Sequence, residues 1–185
     1  KVFCHEHSQV VVATSQPEIM LQIETGIAAI KSALEWSTCL VLGPGLGTDQ
    51  WAKSLFEHVL AYLQHTEKPA RLLGVTVPEI EQDRYAACQA IASRYQAVCV
   101  LKGAGTIICH PHNSEDSYVC ADGNPGMATA GMGDVLSGVI GAMLGQGMSG
   151  QIAANYGVCL HAAAGDRVAS KYGQRGMIAS DLFQA

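Results

Sequence analysis

Two short apolar runs, Cys39-Leu40-Val41-Leu42 and Ala97-Val98-Cys99-Val100-Leu101, each end in a glycine-rich turn: Gly43-Pro44-Gly45-Leu46-Gly47 and Lys102-Gly103-Ala104-Gly105-Thr106. Uninterrupted runs of this length read as strands covered on both faces, the situation of a sheet packed between helices. Helical patterns alternate with them. The pattern predicts helices over 27–36, from Thr48 or Asp49 to about residue 65, from Pro78 to about residue 95, from Asp134 through Leu144, and over 152–169. The second carries Trp51, Leu55, Val59 and Leu63 at helical spacing. Val10-Val11-Val12-Ala13-Thr14 reads as a further buried strand, and 107–110 with 117–121 as a hairpin. The fold class expected is α/β, with a mainly parallel central sheet flanked by helices. One step breaks the alternation: two helices follow each other across Pro69 and Ala70 without a strand between them.

Composition narrows the function. The 185 residues are 49% hydrophobic and 15% charged, which excludes disorder as the main state. A net charge of −5 argues against nucleic acid as a partner. No run reaches the ~18 apolar residues of a membrane span, and no leader pattern is visible. The seven cysteines are scattered without a C-x-x-C and read as buried, reduced thiols of a cytoplasmic protein.

Nine glycines fall between Gly123 and Gly150, and no Lys or Arg occurs from Ala104 through Asp166. An anion bound there must be held by backbone N–H groups, a helix N-terminus or a metal. Ala130-Gly131-Met132-Gly133-Asp134 supplies the first two, a small-residue loop running straight into an apolar helix. Asp134 at the junction is either a helix cap or a base able to take a proton from a hydroxyl attacking phosphorus. Lys102 can contact phosphate as a point charge or be a solvated residue entering the hairpin. The Gly43–Gly47 turn is either a second cradle or a tight strand-to-helix connection. Neither G-x-G-x-x-G nor G-x-x-x-x-G-K-[ST] is present. His5/His7 and His110/His112, spaced i, i+2, share a face if they lie on strands, but no third ligand accompanies them and no metal site is assigned. Ser137 lacks the G-x-S-x-G of a serine nucleophile.

Taken together, Val41 to Gly47, Val100 to Thr106, Asn124 to Gly138 and Gly173 to Leu182 resemble the NAD(P)H-hydrate dehydratase family, whose fold is ribokinase-like. The string Asn124-Pro125-Gly126-Met127-Ala128-Thr129-Ala130-Gly131-Met132-Gly133-Asp134-Val135-Leu136-Ser137-Gly138 is the most specific part; its G-x-G-D core alone is common to ribokinase-like kinases. The resemblance implies dehydration of hydrated NADH and NADPH coupled to hydrolysis of ADP or ATP, with Mg²⁺. It implies Asp134 as the base, in contact with substrate. Lys102, Gly103, Ala104, Gly105, Thr106, Thr129, Gly131 and Gly133 would hold the nucleotide, and Gly45 and Gly47 would face the hydrated dinucleotide.

The chain departs from the family pattern in three ways. The family's first strand is absent before residue 1. A strand and a P-H-P-G-E segment are absent between Pro69 and Ala70. The epimerase domain often fused upstream is not among these residues and is expected upstream on the parent polypeptide. The expectation is a single domain over 1–185, incomplete at its N-terminus and between Pro69 and Ala70, forming a homo-oligomer. A small-molecule kinase of the ribokinase-like type and a silent nucleotide-binding module are the alternatives.

Overall fold

A computed structural model describes residues 2–15, 19–23, 26–37, 39–42, 46–64, 77–112 and 117–185. Strands β1 (Val2–Cys4) and β2 (Leu21–Ile23) form a parallel pair with Val2 opposite Leu21. Parallel neighbours cannot be joined by a tight turn, so the chain between them must cross over. Helix α1 (Gln9–Ser15) makes that crossing. The Val10–Thr14 run is therefore a helix and not the buried strand expected, and Val10 and Val11 are exposed. The demand of the pair overrides the β preference of three successive valines. His5 and His7 are not on a strand either. His5 caps a single 3-10 turn, Glu6–Ser8, its Nδ1 accepting the His7 N–H at 3.2 Å.

Helix α2 (Ile27–Trp36) matches its expected range. Residues 39–42, expected as a strand, join no sheet among the described residues, and Leu40 and Val41 are exposed. They pack sideways instead. Val41 lies against Gly141, and the Cys39 thiol reaches the Gly141 carbonyl at 3.6 Å. Helix α3 (Gln50–Gln64) follows, capped by Asp49, whose Oδ1 accepts the Ala52 N–H at 2.8 Å, with Ala52 and Val59 buried. Pro69, Ala70 and the expected cap Thr76 lie outside the described residues. The helix expected from Pro78 is two: α4 (Val77–Gln82) and α5 (Arg84–Tyr95). Asp83 separates them by leaving helical geometry and accepting the Ala86 N–H at 2.8 Å, which caps α5.

The remainder is layered. Strands β3 (Cys99–Leu101), β4 (Thr106–Cys109) and β5 (Tyr118–Cys120) form an antiparallel sheet in that order, with Leu101 opposite Ile107 and Ile107 opposite Val119. The mainly parallel sheet expected is thus not what the described strands form: one pair is parallel and three strands are antiparallel. The α/β class stands. Side chains alternate across the pleat. Ile107, Cys109, Cys99 and Leu101 pack with Cys88 and Ala92 of α5 on one face. Ile108, Cys120, Val98 and Val100 pack on the other against α6 (Met132–Gly145) and α7 (Gly150–Tyr172), through Leu136, Ala154, Val158 and Ala162. Small residues bring these helices close. Gly157 lies against Ile140, where an added Cβ would meet Cγ1 at 2.7 Å. Finally, Met177 and Leu182 of the C-terminal segment share a core with Met132 and Val168, anchoring the first residue of α6.

All seven cysteines are free. Cys4, Cys88, Cys109 and Cys120 are buried as expected, but Cys159 is exposed. The thiols of Cys88, Cys99 and Cys109 meet between α5 and the sheet. Burial pushes Cys109 up to about 11. The contact with Cys99 pushes Cys88 up, while Cys99 itself is lowered by that hydrogen bond.

Candidate active site

A cavity of about 660 Å³ opens where the β3–β4 turn faces the start of α6. Residues 102–106 line one wall and Met127 to Thr129, Met132 and Gly133 another, with Leu136, Val158 and Ala162 beneath. Its size suits a small-molecule or cofactor site.

The turn after β3 bends sharply because Gly103 and Gly105 hold φ of 151° and 68°. Thr106 secures it by donating its hydroxyl to the Gly103 carbonyl at 3.2 Å. On the opposite wall Gly131 sits at the N-cap of α6 with φ 85°. Its carbonyl accepts the N–H groups of Asp134 and Val135, each at 3.0 Å. That leaves the amides of Met132 and Gly133 as the cavity-lining donors of the first helical turn, at the positive end of the helix dipole. Lys102 crosses to the same point: a Cβ on Gly133 would collide with Lys102 Nζ. An ammonium group therefore lies beside the first turn of α6, whose Met132 and Gly133 amides carry no backbone acceptor among the described residues, an arrangement suited to a phosphate.

The residues expected from sequence divide as follows. Lys102, Gly103, Ala104, Gly105, Thr106, Thr129 and Gly133 all border the cavity. Gly131 shapes it from the N-cap without bordering it. Asp134 is not the cap; it is the third residue of α6, exposed, beside Gly133 and off the cavity wall. Gly47 is exposed with φ 76° and, like Asp134, does not border the cavity. Gly45 lies outside the described residues. Ser137 donates its hydroxyl to the Gly133 carbonyl at 2.9 Å, an engagement that opposes nucleophilic use. His110 and His112 meet edge-on with ring centres 5.7 Å apart. Among the described residues no three His, Cys, Asp or Glu side chains cluster as a metal site, and no helix is long and apolar enough to cross a membrane.

Sequence reasoning missed Asp122, which borders the cavity, and three further residues. Asp166 on α7 accepts the Gly123 N–H and the Asn124 side-chain amide, both at 2.9 Å, while Asn124 Oδ1 accepts the Gly126 N–H at 3.0 Å. These bonds fix the loop that forms the cavity rim. His161 borders the cavity and its Nε2 lies 2.9 Å from the Met132 carbonyl. A carbonyl only accepts, so Nε2 carries the proton. The signal was present in sequence, since His161 is a polar residue on the inner side of an alanine-rich helix. The third, Arg84, donates to carbonyls of the β3–β4 turn.

Burial lowers the His161 pKa from its ordinary 6.5, with Lys102 adding to the effect and the Met132 carbonyl opposing it. The unfolded chain therefore binds this proton more tightly than the folded one. Stability from neutral His161 is present above pH 6.5 and is lost as pH falls below it. Thermal melts from about pH 7.5 to about pH 5.5 should show declining stability, and His161→Gln should flatten the decline. Equal pH dependence in both proteins would remove His161 as its source.

A family model described as NAD(P)H-hydrate dehydratase matches residues 64–185. A bifunctional NAD(P)H-hydrate repair enzyme of Coxiella burnetii is 39% identical over 199 residues, covering 94% of this chain and 40% of that protein. An ADP-dependent (S)-NAD(P)H-hydrate dehydratase of Neisseria meningitidis serogroup B is 34% identical over 206 residues, covering 91% of this chain and 67% of that one. The chain spans about two fifths of the length of the bifunctional relatives it matches first. An ADP/ATP-dependent NAD(P)H-hydrate dehydratase from Bacillus subtilis, co-crystallised with ATP/Mg²⁺, has a TM-score of 0.80 at 22% identity, covering 97% of this chain and 74% of that one. A ribokinase-like superfamily protein from Enterococcus faecalis has a TM-score of 0.77 at 24% identity, covering 100% and 73%. The fold is accordingly ribokinase-like.

Proposed function

Because the chain belongs to the NAD(P)H-hydrate dehydratase family, we propose that it forms a dehydratase domain that returns NAD(P)H hydrate to NAD(P)H at the expense of ADP. The observation that carries this reading is the meeting of Lys102 with the amide end of α6 at the cavity. Hydroxide leaves poorly and phosphate leaves well, so a phosphoryl group on the ring hydroxyl makes elimination accessible. In the first step the hydroxyl oxygen bonds to the terminal phosphorus, the bridging P–O bond breaks so that AMP leaves with the bridging oxygen and its bonding pair, and Asp134 takes the hydroxyl proton. In the second, phosphate departs with its bonding pair. The neighbouring ring carbon gives up a proton to the departing phosphate, the ring double bond returns, and inorganic phosphate is released.

Residues 102–106 and Thr129, with Gly131 shaping the N-cap, would hold the nucleotide. The Lys102 ammonium and the Met132 and Gly133 amides would stabilise charge developing on the transferred group. Asp134, exposed beside this point, would face the hydrate, with Gly45 and Gly47 on the same substrate. Asp122 is the one carboxylate among the described residues bordering the cavity. It is a hard oxygen donor of the kind Mg²⁺ takes when phosphates and water complete its shell. With Asp122 as a ligand, the ion would neutralise phosphate charge.

We further read the protein as cytoplasmic and homo-oligomeric, working with an epimerase activity on the same polypeptide, a reading supported by relatives named as bifunctional NAD(P)H-hydrate repair enzymes. The test supplies hydrated NADH with ADP or with ATP to the intact protein and follows dihydronicotinamide absorbance and phosphate release. Recovery with ADP, matched by phosphate, is expected. Nucleotide binding without recovery would overturn the dehydratase reading.

A further inference from the structure

Arg84, the first residue of α5, lies across from the 102–106 turn. Its Nη1 donates to the Ala104 carbonyl at 2.7 Å, and its Nη2 donates to the carbonyls of Leu101 at 3.3 Å and Lys102 at 3.2 Å. One guanidinium thus gathers three carbonyls from four consecutive residues. The rigid fork of donors makes this possible; a lysine ammonium could not span the same set. The approach is close enough to dictate sequence: a Cβ on Gly103 would lie 2.7 Å from Nη2.

The consequence follows from the planar trans peptide, in which N–H and C=O point in opposite directions. When the carbonyls of Leu101, Lys102 and Ala104 turn toward Arg84, the N–H groups of Lys102, Gly103 and Gly105 turn away from it. Residues 102–106 border the cavity and Arg84 does not. The capped start of α5 holds the arginine in place, since Asp83 fixes the first turn through the Ala86 N–H.

We infer that Arg84 is a positioning residue for the nucleotide loop, turning its amide donors toward the phosphates by drawing its carbonyls back. This rests on the adenine-nucleotide reading above. Arg84 does not border the cavity, so it acts through the loop and touches no substrate.

The test measures ADP binding by calorimetry, with steady-state kinetics, in the intact wild-type protein, Arg84→Ala and Arg84→Lys. Arg84→Ala should lose roughly tenfold in ADP affinity, as expected when a charged donor to several carbonyls is removed. The nucleotide KM should rise in step, with kcat at saturating nucleotide and the KM for hydrate little changed. Guanidinium ion added to Arg84→Ala should restore part of the affinity, which a loss of general stability would not allow. Arg84→Lys should fall between the two. It keeps the charge and reach, and serves as the measure if the alanine variant does not fold. ADP affinity in a folded Arg84→Ala, or otherwise in Arg84→Lys, equal to wild type would overturn the inference and leave the nucleotide reading standing. Wild-type protein that binds neither ADP nor ATP would overturn both.

Discussion

Asp134→Asn is expected to reduce turnover by about 10²–10⁴, the usual contribution of a positioned general base, while ADP binds with nearly unchanged affinity. The split follows from where the residue stands. Asp134 is the third residue of α6, exposed and off the wall of the nucleotide cavity, yet adjacent to Gly133, which is on it. The amide is nearly isosteric with the carboxylate and leaves the helix geometry undisturbed, but it cannot accept the hydroxyl proton. Absorbance recovery gives the turnover and calorimetry the nucleotide affinity. Wild-type turnover in the variant would return Asp134 to a purely structural role at the helix start.

Lys102→Ala should weaken ADP binding roughly tenfold to a hundredfold, the worth of about 1.5–3 kcal/mol for a charged contact. The lysine reaches the amide end of α6, where positive potential already collects. In the absence of ligand this is unfavourable juxtaposition, and a phosphate relieves it. The loss should shrink as salt rises, because the contact is a point charge and partly open to solvent. Lys102→Arg should not restore affinity in full, since the broader guanidinium must fit against the glycine that makes room for Nζ. An ADP dissociation constant unchanged by Lys102→Ala would place the lysine among the solvated surface residues.

The site was more legible than the fold around it. The two glycine-rich walls and the lysine at the end of β3 follow from short stretches of chain. Each depends on local properties: positive φ at Gly103, Gly105 and Gly131, and the free amides at any helix start. The hairpin of β4 and β5 was legible for the same reason, as was the Asp49 cap of α3. The alternation of Ile107 and Ile108 to opposite faces follows from the pleat alone. The family, too, was readable in the string from Asn124 to Gly138.

Other features needed the folded chain. Three valines in α1 form a helix because the parallel partners β1 and β2 require a crossing, and nothing within residues 10–14 states that requirement. Residues 39–42 have a strand's composition but lean on Gly141, a hundred residues away. Arg84 serves carbonyls up to 20 positions distant, His161 a carbonyl 29 away and Asp166 an amide 42 away. The sequence alone determined which segments carry amide donors and cations, because those are properties of neighbouring residues. Only the tertiary structure decided which side chains orient them, because a hydrogen bond between distant residues exists only once packing has brought its two ends within 3 Å or so of each other.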